Sequence, residues 1–229
     1  MNIAWFQHAD FEGLGCIAPA LLQRGHRLQN VRLYAGEPPP APDAFEALIV
    51  MGGPMNIYEY EEHPWLRAEK QAIAQAIAAG KPVLGVCLGA QLMADVLGGK
   101  VTRNAETEIG WFELRLNEQG KREPLFAGFP ERFTAFHWHG DTFAIPPGAQ
   151  NLMSSAACVN QAYRYGERVV GIQFHLEVTA ADARVWFEQG EPRPRTYVQP
   201  AAEILAQLDH FAGNNRLMLQ LLDNWLRTA

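Results

Sequence analysis

The stretch that most restricts what this chain can fold into is Val83-Leu84-Gly85-Val86-Cys87-Leu88-Gly89-Ala90-Gln91-Leu92-Met93. Val83 to Val86 is a short apolar run of the length of a buried strand, and it passes directly into residues that favour helix. Gly85 and Gly89 flank Cys87 at two places on either side. Glycines there allow two backbone segments to approach where a Cβ would collide. Strand, sharp turn, nucleophilic residue and helix together make a nucleophile elbow. The pattern predicts Cys87 at the apex, in strained backbone, at the positive end of the following helix. The dipole and the unpaired amides there favour thiolate over thiol. A lone cysteine is more commonly a small buried apolar side chain, so this reading requires partners elsewhere in the chain.

Composition removes several classes of function. The 229 residues carry a net charge of -6 and no basic stripe, which argues against nucleic acid as a partner. The three cysteines, Cys16, Cys87 and Cys158, are far apart and odd in number. That spacing supports neither a disulfide framework nor a paired-cysteine metal site, and it suits a reducing cytoplasm. No apolar run reaches the length of a membrane span. Met1 to His8 has no basic segment ahead of a long apolar stretch, so no signal peptide is expected. Nothing calls for a metal or another cofactor.

Around the elbow the chain alternates strand and helix. Asn2 to Gln7, Arg27 to Tyr34, Ala47 to Met51 and Val83 to Val86 read as strands. Leu14 to Arg24 and a segment opened by His63-Pro64 and closed by Gly80 read as helices. This order predicts an α/β fold with a doubly wound, mostly parallel central sheet flanked by helices. From Lys100 to Tyr165 the pattern changes to strand candidates at 110–116, 132–138, 151–156 and 162–165, a small antiparallel flank or an extension of the sheet. Val169 to Phe174 is a further buried strand. Thr179 and Asp182 have the spacing of a capping box at the start of a helix. After the Pro/Arg loop 191–200, two helices are expected, one with Ile204, Leu205, Leu208 and Phe211 on a face, the other with Leu217, Leu221, Leu222 and Trp225. We expect a single domain over 1–229, with 191–229 as a C-terminal helical extension.

A thiolate nucleophile needs a base, and the base needs a group to orient it. His175 and Glu177 follow a buried strand and lie two residues apart, so in extended chain they project from the same side. The turn Gly52-Gly53-Pro54 offers backbone amides unobstructed by side chains, and the amide of Leu88 directly follows the cysteine. These are the natural donors for an oxyanion. A phosphate loop is not indicated, because neither Gly-x-x-x-x-Gly-Lys-Ser/Thr nor Gly-x-Gly-x-x-Gly occurs.

With Gly52-Gly53-Pro54, Gly85 to Gln91, His137-Trp138-His139-Gly140-Asp141 and Gly171 to Thr179 in view, the sequence resembles the class I (triad) glutamine amidotransferases. The likeness is to stand-alone members similar to the amidotransferase part of GMP synthases. It implies Cys87 as nucleophile toward the side-chain amide of glutamine, through a γ-glutamyl thioester, with release of ammonia. It further implies His175 as acid and base, Glu177 as its orienter, and the amides of Gly53 and Leu88 as oxyanion hole. Gly52, Gln91, Trp138 and His139 would surround the substrate, with the His139 ring holding its loop by a hydrogen bond. A synthetase on a separate chain, accepting the ammonia, and a homodimer are compatible with this family. Two positions depart from its usual pattern. Leu176 stands where proline is common, and the bulky Trp138 stands where a small polar residue is common. The second departure opens an alternative substrate, a γ-glutamyl peptide or conjugate. A non-catalytic binding protein on the same fold is a third reading, against which the intact Cys87, His175 and Glu177 stand. A related fold of intracellular proteases and chaperones puts histidine after its elbow cysteine, where this chain has Leu88.

Overall fold

The computed structural model describes residues 1–227. Its strands are β1 (Asn2–Gln7), β2 (Arg27–Arg32), β3 (Ala47–Val50), β4 (Val83–Val86), β5 (Val101–Leu116), β6 (Arg132–Phe143), β7 (Ala149–Ser155), β8 (Ala162–Tyr165) and β9 (Val169–Ile172). The helices are α1 (Ile17–Gln23), α2 (Trp65–Ala78), α3 (Leu88–Val96), α4 (Ala180–Glu188), α5 (Ala201–Leu205) and α6 (Leu208–Arg227). All nine strands join one sheet in the order β2-β1-β3-β4-β9-β8-β7-β5-β6. The first five in that order are parallel, and from β9 to β6 every pairing is antiparallel.

Side chains of the parallel strands alternate between two cores, as the period of two requires. Ile3, Trp5, Ile49, Leu84 and Val86 face one side, where α1 and α6 cover them. Ala4, Phe6, Leu48, Val50 and Val83 face the other, under α2 and α3. A third cluster, with Trp111, Phe136, Trp186 and Phe211, lies beneath α4, α5 and the start of α6.

β2 stops at Arg32, short of the expected Tyr34, before a 3-10 turn at Leu33–Ala35, and β6 runs past Trp138 to Phe143; two further stretches differ more from the sequence expectation. β5 begins nine residues earlier than the strand read at Gly110, because Thr102 to Thr107 is polar and largely exposed. Its register is carried by backbone pairing with β6 rather than by burial. The helix expected through Phe211 is broken after Leu205, and α6 starts at Leu208 with Asp209 in its first turn, where an acidic side chain complements the dipole. Thr179 and Asp182 form the expected capping box on α4.

The C-terminal segment is fastened to the rest at both ends. The Ile109 N–H donates to the Tyr197 carbonyl at 2.8 Å, and the Gln199 N–H returns a bond to the Ile109 carbonyl at 2.9 Å. Met218, Leu221, Leu222 and Trp225, spaced at i, i+3, i+4 and i+7, are fully buried in the first core. Among the described residues, no helix is long and apolar enough to cross a membrane.

The helix after the elbow lies so close to β3 that a Cβ on Gly89 would overlap the Val50 carbonyl. Gly89→Ala is therefore expected to lower stability by about 1–3 kcal/mol. Gly13→Ala, where a Cβ meets nothing within 4 Å, should change it by less than about 0.5 kcal/mol. Urea unfolding midpoints of the two variants check this.

Candidate active site

β3, β4 and β9 are adjacent and parallel, so their carboxyl ends finish side by side. Gly52-Gly53 follows β3, Cys87 follows β4, and His175 follows β9 within three residues. Neighbouring strands stand about 4.8 Å apart, and the three segments therefore open into one crevice. A Cβ placed on Gly52 would lie 3.4 Å from His175 Cε1 and 3.7 Å from Cys87 Cβ.

Cys87 has φ +51°, and among the described residues it is the only non-glycine with positive φ. It stands immediately before α3, at the N-cap position. Its Sγ accepts from Gln173 Nε2 at 3.5 Å and lies 3.7 Å from the Trp138 carbonyl. The His175 ring and Cys87 line the same crevice, and His175 Nδ1 is 2.6 Å from Glu177 Oε1. Both His175 and Glu177 are buried. Burial opposes a charge on the imidazole, but the Glu177 carboxylate and the Cys87 sulfur outweigh it, so His175 titrates well above the ordinary histidine range. The second Glu177 oxygen, Oε2, has no hydrogen-bond partner.

Two cavities meet at Cys87 and share Gly53, Pro54 and Trp138. One, of about 410 Å³, is polar and is lined by Leu88, Gln91, His139 and, at its outer side, Glu59, Arg103 and Asp141. Gly53 and Leu88 border it. Gln91 Nε2 donates to Gln173 Oε1 at 3.0 Å, which links this wall to the residue beside Sγ. The other cavity, of about 160 Å³, is mainly apolar and is lined by Phe11, Glu12, His175, Trp186 and Gln189. The Trp138 indole stands between the two and packs on Trp186 and Phe187.

His139 lies against the polar cavity, with Nδ1 bonded within its own loop and Nε2 beside the Glu108 carboxylate without a formed hydrogen bond. Nδ1 is 3.0 Å from the Asp141 carbonyl and Nε2 is 3.0 Å from Glu108 Oε2. Glu108, His137 and His139 bring three potential metal-ligating atoms within 4.8 Å of one another. The carboxylate oxygens are already engaged, however: Oε1 accepts from Ser155 Oγ at 2.6 Å and Oε2 from Gln161 Nε2 at 2.7 Å. Burial raises the Glu108 carboxyl, yet the adjacent His139 ring and Ser155 hold it below the usual carboxylate range. Burial pushes His137 down to about 3, leaving it neutral. The group is thus a hydrogen-bonded buried carboxylate, and it anchors the strand that carries Trp138.

Four residues at this site were not singled out from sequence. Gln173 could have been, since it lies two residues before His175 and shares its side. His8 was not legible: its ring spans Gly52 O at 2.7 Å and Glu69 Oε1 at 2.7 Å, a buried pair that fixes the Gly52-Gly53 turn. Burial disfavours its charge, but Glu69 and Gly52 restore and raise its pKa. Glu108 and Glu12 were also missed. Glu12 Oε2 would be 2.8 Å from a Cβ on Gly52, beside His175. Burial pushes its carboxyl up to about 7, against the pull of His175 and His8.

A cysteine at a strained strand–helix turn, with a histidine and a carboxylate at the end of the neighbouring strand, is a form shared by known proteins. The family model described as glutamine amidotransferase class-I matches residues 15–189, and the chain belongs to that family. The family is cysteine-dependent, and its general reaction is hydrolysis of the glutamine side-chain amide. The chain is 36% identical over 215 residues to YfeJ of Salmonella typhimurium, described as glutamine amidotransferase-like, covering 90% of each. It is 32% identical over 162 residues to a glutamine-hydrolyzing GMP synthase subunit of Methanoculleus marisnigri, covering 68% of this chain and 80% of that one. The crystal structure of a glutamine amidotransferase from Methylobacillus flagellatus superposes with a TM-score of 0.92 at 32% identity, covering 99% of this chain and 94% of that one.

The Glu12 carboxyl gives a pH-dependent signature. Its folded pKa of about 7 exceeds the ordinary 4.5, so the folded state holds a proton that the unfolded state has lost between those values. Stability is fully present below pH 4.5 and declines as pH rises to 7. Glu12→Gln removes this loss and should be more stable than the parent at pH 8 by about 2–3 kcal/mol, with the gap closing near pH 4.5. Urea unfolding at both pH values checks it, and an equal gap at both would show that the carboxyl titrates normally.

Proposed function

We propose that the protein is an amidase in which Cys87 attacks the side-chain amide of glutamine and carries the γ-glutamyl group as a thioester. One observation supports this reading: Cys87, His175 and Gly53, which follow three adjacent strands, line one cavity, with Glu177 2.6 Å from Nδ1 of the imidazole. Glu177 holds the proton on Nδ1, so Nε2 is free to take the thiol proton. As sulfur bonds to the carbonyl carbon, negative charge gathers on the oxygen, toward the amides of Gly53 and Leu88. His175 then returns the proton to nitrogen, the C–N bond breaks and ammonia leaves. Water, deprotonated by the same imidazole, releases glutamate. Gln91 and the chain at Trp138 and His139 border the glutamyl group. Arg103 with Asp141 and Glu59 supplies both signs of charge for an α-carboxylate and an α-ammonium.

In this reading residues 1–229 act as one amidotransferase domain, and the ammonia acceptor resides on a separate synthetase chain. The relative named as one subunit of a GMP synthase supports that arrangement. A second substrate class, γ-glutamyl compounds with a larger leaving amine, is favoured by the aromatic cavity on the far side of Trp138.

Cys87→Ala is expected to abolish glutamine hydrolysis, and mass spectrometry of the parent with glutamine should show a γ-glutamyl adduct on Cys87. Hydrolysis at the parent rate by the alanine variant would remove the mechanism. Glu177→Gln should keep the fold and lower kcat by about 100-fold or more, since the imidazole loses its fixed tautomer. Trp138→Ser should change the ratio of kcat/KM for glutamine and γ-glutamyl peptides by about tenfold, and an unchanged ratio would show that the indole selects nothing.

A further inference from the structure

The two cavities at Cys87 differ in chemistry, and an amide bond has two sides. An acyl group lying in the polar cavity places its scissile nitrogen toward His175, and His175 lines the other cavity. That second cavity is built from three aromatic side chains, Phe11, Trp138 and Trp186, and Glu12. Trp186 packs edge-on against the His175 ring at 5.1 Å, and its Nε1 donates to the Phe11 carbonyl at 3.3 Å, which ties the wall together. Ammonia would make no use of an apolar wall. A volume of about 160 Å³ is another matter, since an apolar cavity of about 150 Å³ accommodates a benzene ring.

Charge narrows the occupant further. Glu12 is the acidic side chain lining this cavity, and no lysine or arginine among the described residues lines it. Its Oε2 lies within 2.8 Å of the Cβ position of Gly52, next to His175 Cε1, where the departing nitrogen must pass. A carboxylate there accepts N–H from a leaving amine and repels a second carboxylate. Resting on the amidase reading above, we propose that this cavity is a leaving-group subsite. The substrates it selects are γ-glutamyl amides of arylalkyl amines that carry no carboxylate, with Glu12 as the residue that positions the amine.

The reaction keeps the same balance. The Cys87 sulfur bonds to the γ-carbonyl carbon, and the C–N bond breaks with its electron pair on nitrogen. His175 delivers to that nitrogen the proton taken from the thiol, and the neutral amine departs past Glu12. Water then hydrolyses the thioester to glutamate.

The test compares kcat/KM at pH 8 for γ-glutamyl-phenethylamide, γ-glutamyl-phenylalanine and glutamine, with acyl-enzyme on Cys87 followed by mass spectrometry. The second compound has the same aromatic arm as the first plus a carboxylate. The arylalkyl amide is expected to exceed both others by tenfold or more. Glu12→Gln, which keeps size and loses charge, should shrink the preference over γ-glutamyl-phenylalanine at least tenfold. Phe11→Ala should shrink the preference over glutamine by a similar factor. If glutamine or γ-glutamyl-phenylalanine loads Cys87 as well as the arylalkyl amide, the subsite is wrong and the amidase reading stands. If Glu12→Gln leaves the preference within twofold, Glu12 does not position the amine. If none of the three loads Cys87, the amidase reading and the subsite both fall.

Discussion

The site depends on the parallel pairing of β3, β4 and β9. Val50 pairs with Gly85, and Val86 with Ile172, so three chain segments far apart in sequence end at one level. Each segment continues past its strand into a group that the crevice requires: a glycine turn, a cysteine and a histidine. A slip of one register would turn the alternate side chains of a strand from one core to the other. Since Leu84 and Val86 belong to one core and Val83 to its opposite, burial on both faces holds the pairing in place. The sheet therefore sets the geometry of the chemistry, and the helices supply the weight that keeps it there.

The strain at the apex is compensated locally. A non-glycine residue at φ +51° costs on the order of 1–3 kcal/mol. Three backbone hydrogen bonds enclose it: the Cys87 N–H donates to Ile172 O at 2.8 Å, the Gly89 N–H to Met51 O at 3.1 Å, and the Gln91 N–H to Cys87 O at 3.1 Å. They tie the turn to β9 on one side, to the end of β3 on the other, and to its own helix. The close approaches at Gly85 and Gly89 follow from the same contacts, for a tight turn between two strands leaves no volume for a Cβ.

What was legible in the sequence was whatever a short local pattern encodes. The elbow around Cys87, the strand that delivers His175 and Glu177, the Gly52-Gly53 turn and the capping box at Thr179 are each written within a few consecutive residues. The parallel half of the sheet followed from their alternation. Glu12 had no such signal. It stands in the short segment between β1 and α1, where Trp186, from far along the chain, closes over it and bonds to the Phe11 carbonyl. The pairs His8–Glu69 and His139–Glu108 join segments well separated in the chain, with no periodicity to reveal them. The polar first half of β5 was missed because backbone pairing with β6, rather than burial, makes it a strand. The break at Ala206 was missed because Ile204 and Phe211 feed the same apolar cluster from two separate helices.

Trp138 shows how two kinds of packing divide the crevice. Its neighbours in β6, His137 and His139, point to the opposite face of the sheet, toward Glu108, as alternation demands. On that face Glu108 gathers Ser155, Gln161 and His139, a buried polar network that fixes the backbone of β6 directionally. On its own face the indole rests on Phe187 and Trp186 of α4, where contact is apolar and directionless. The backbone of residue 138 is thereby held firmly enough for its carbonyl to lie 3.7 Å from Sγ. In the proposed reading, reaction geometry and selectivity therefore rest on different atoms of one residue: the backbone beside the sulfur, and the side chain beside whatever occupies the adjoining space.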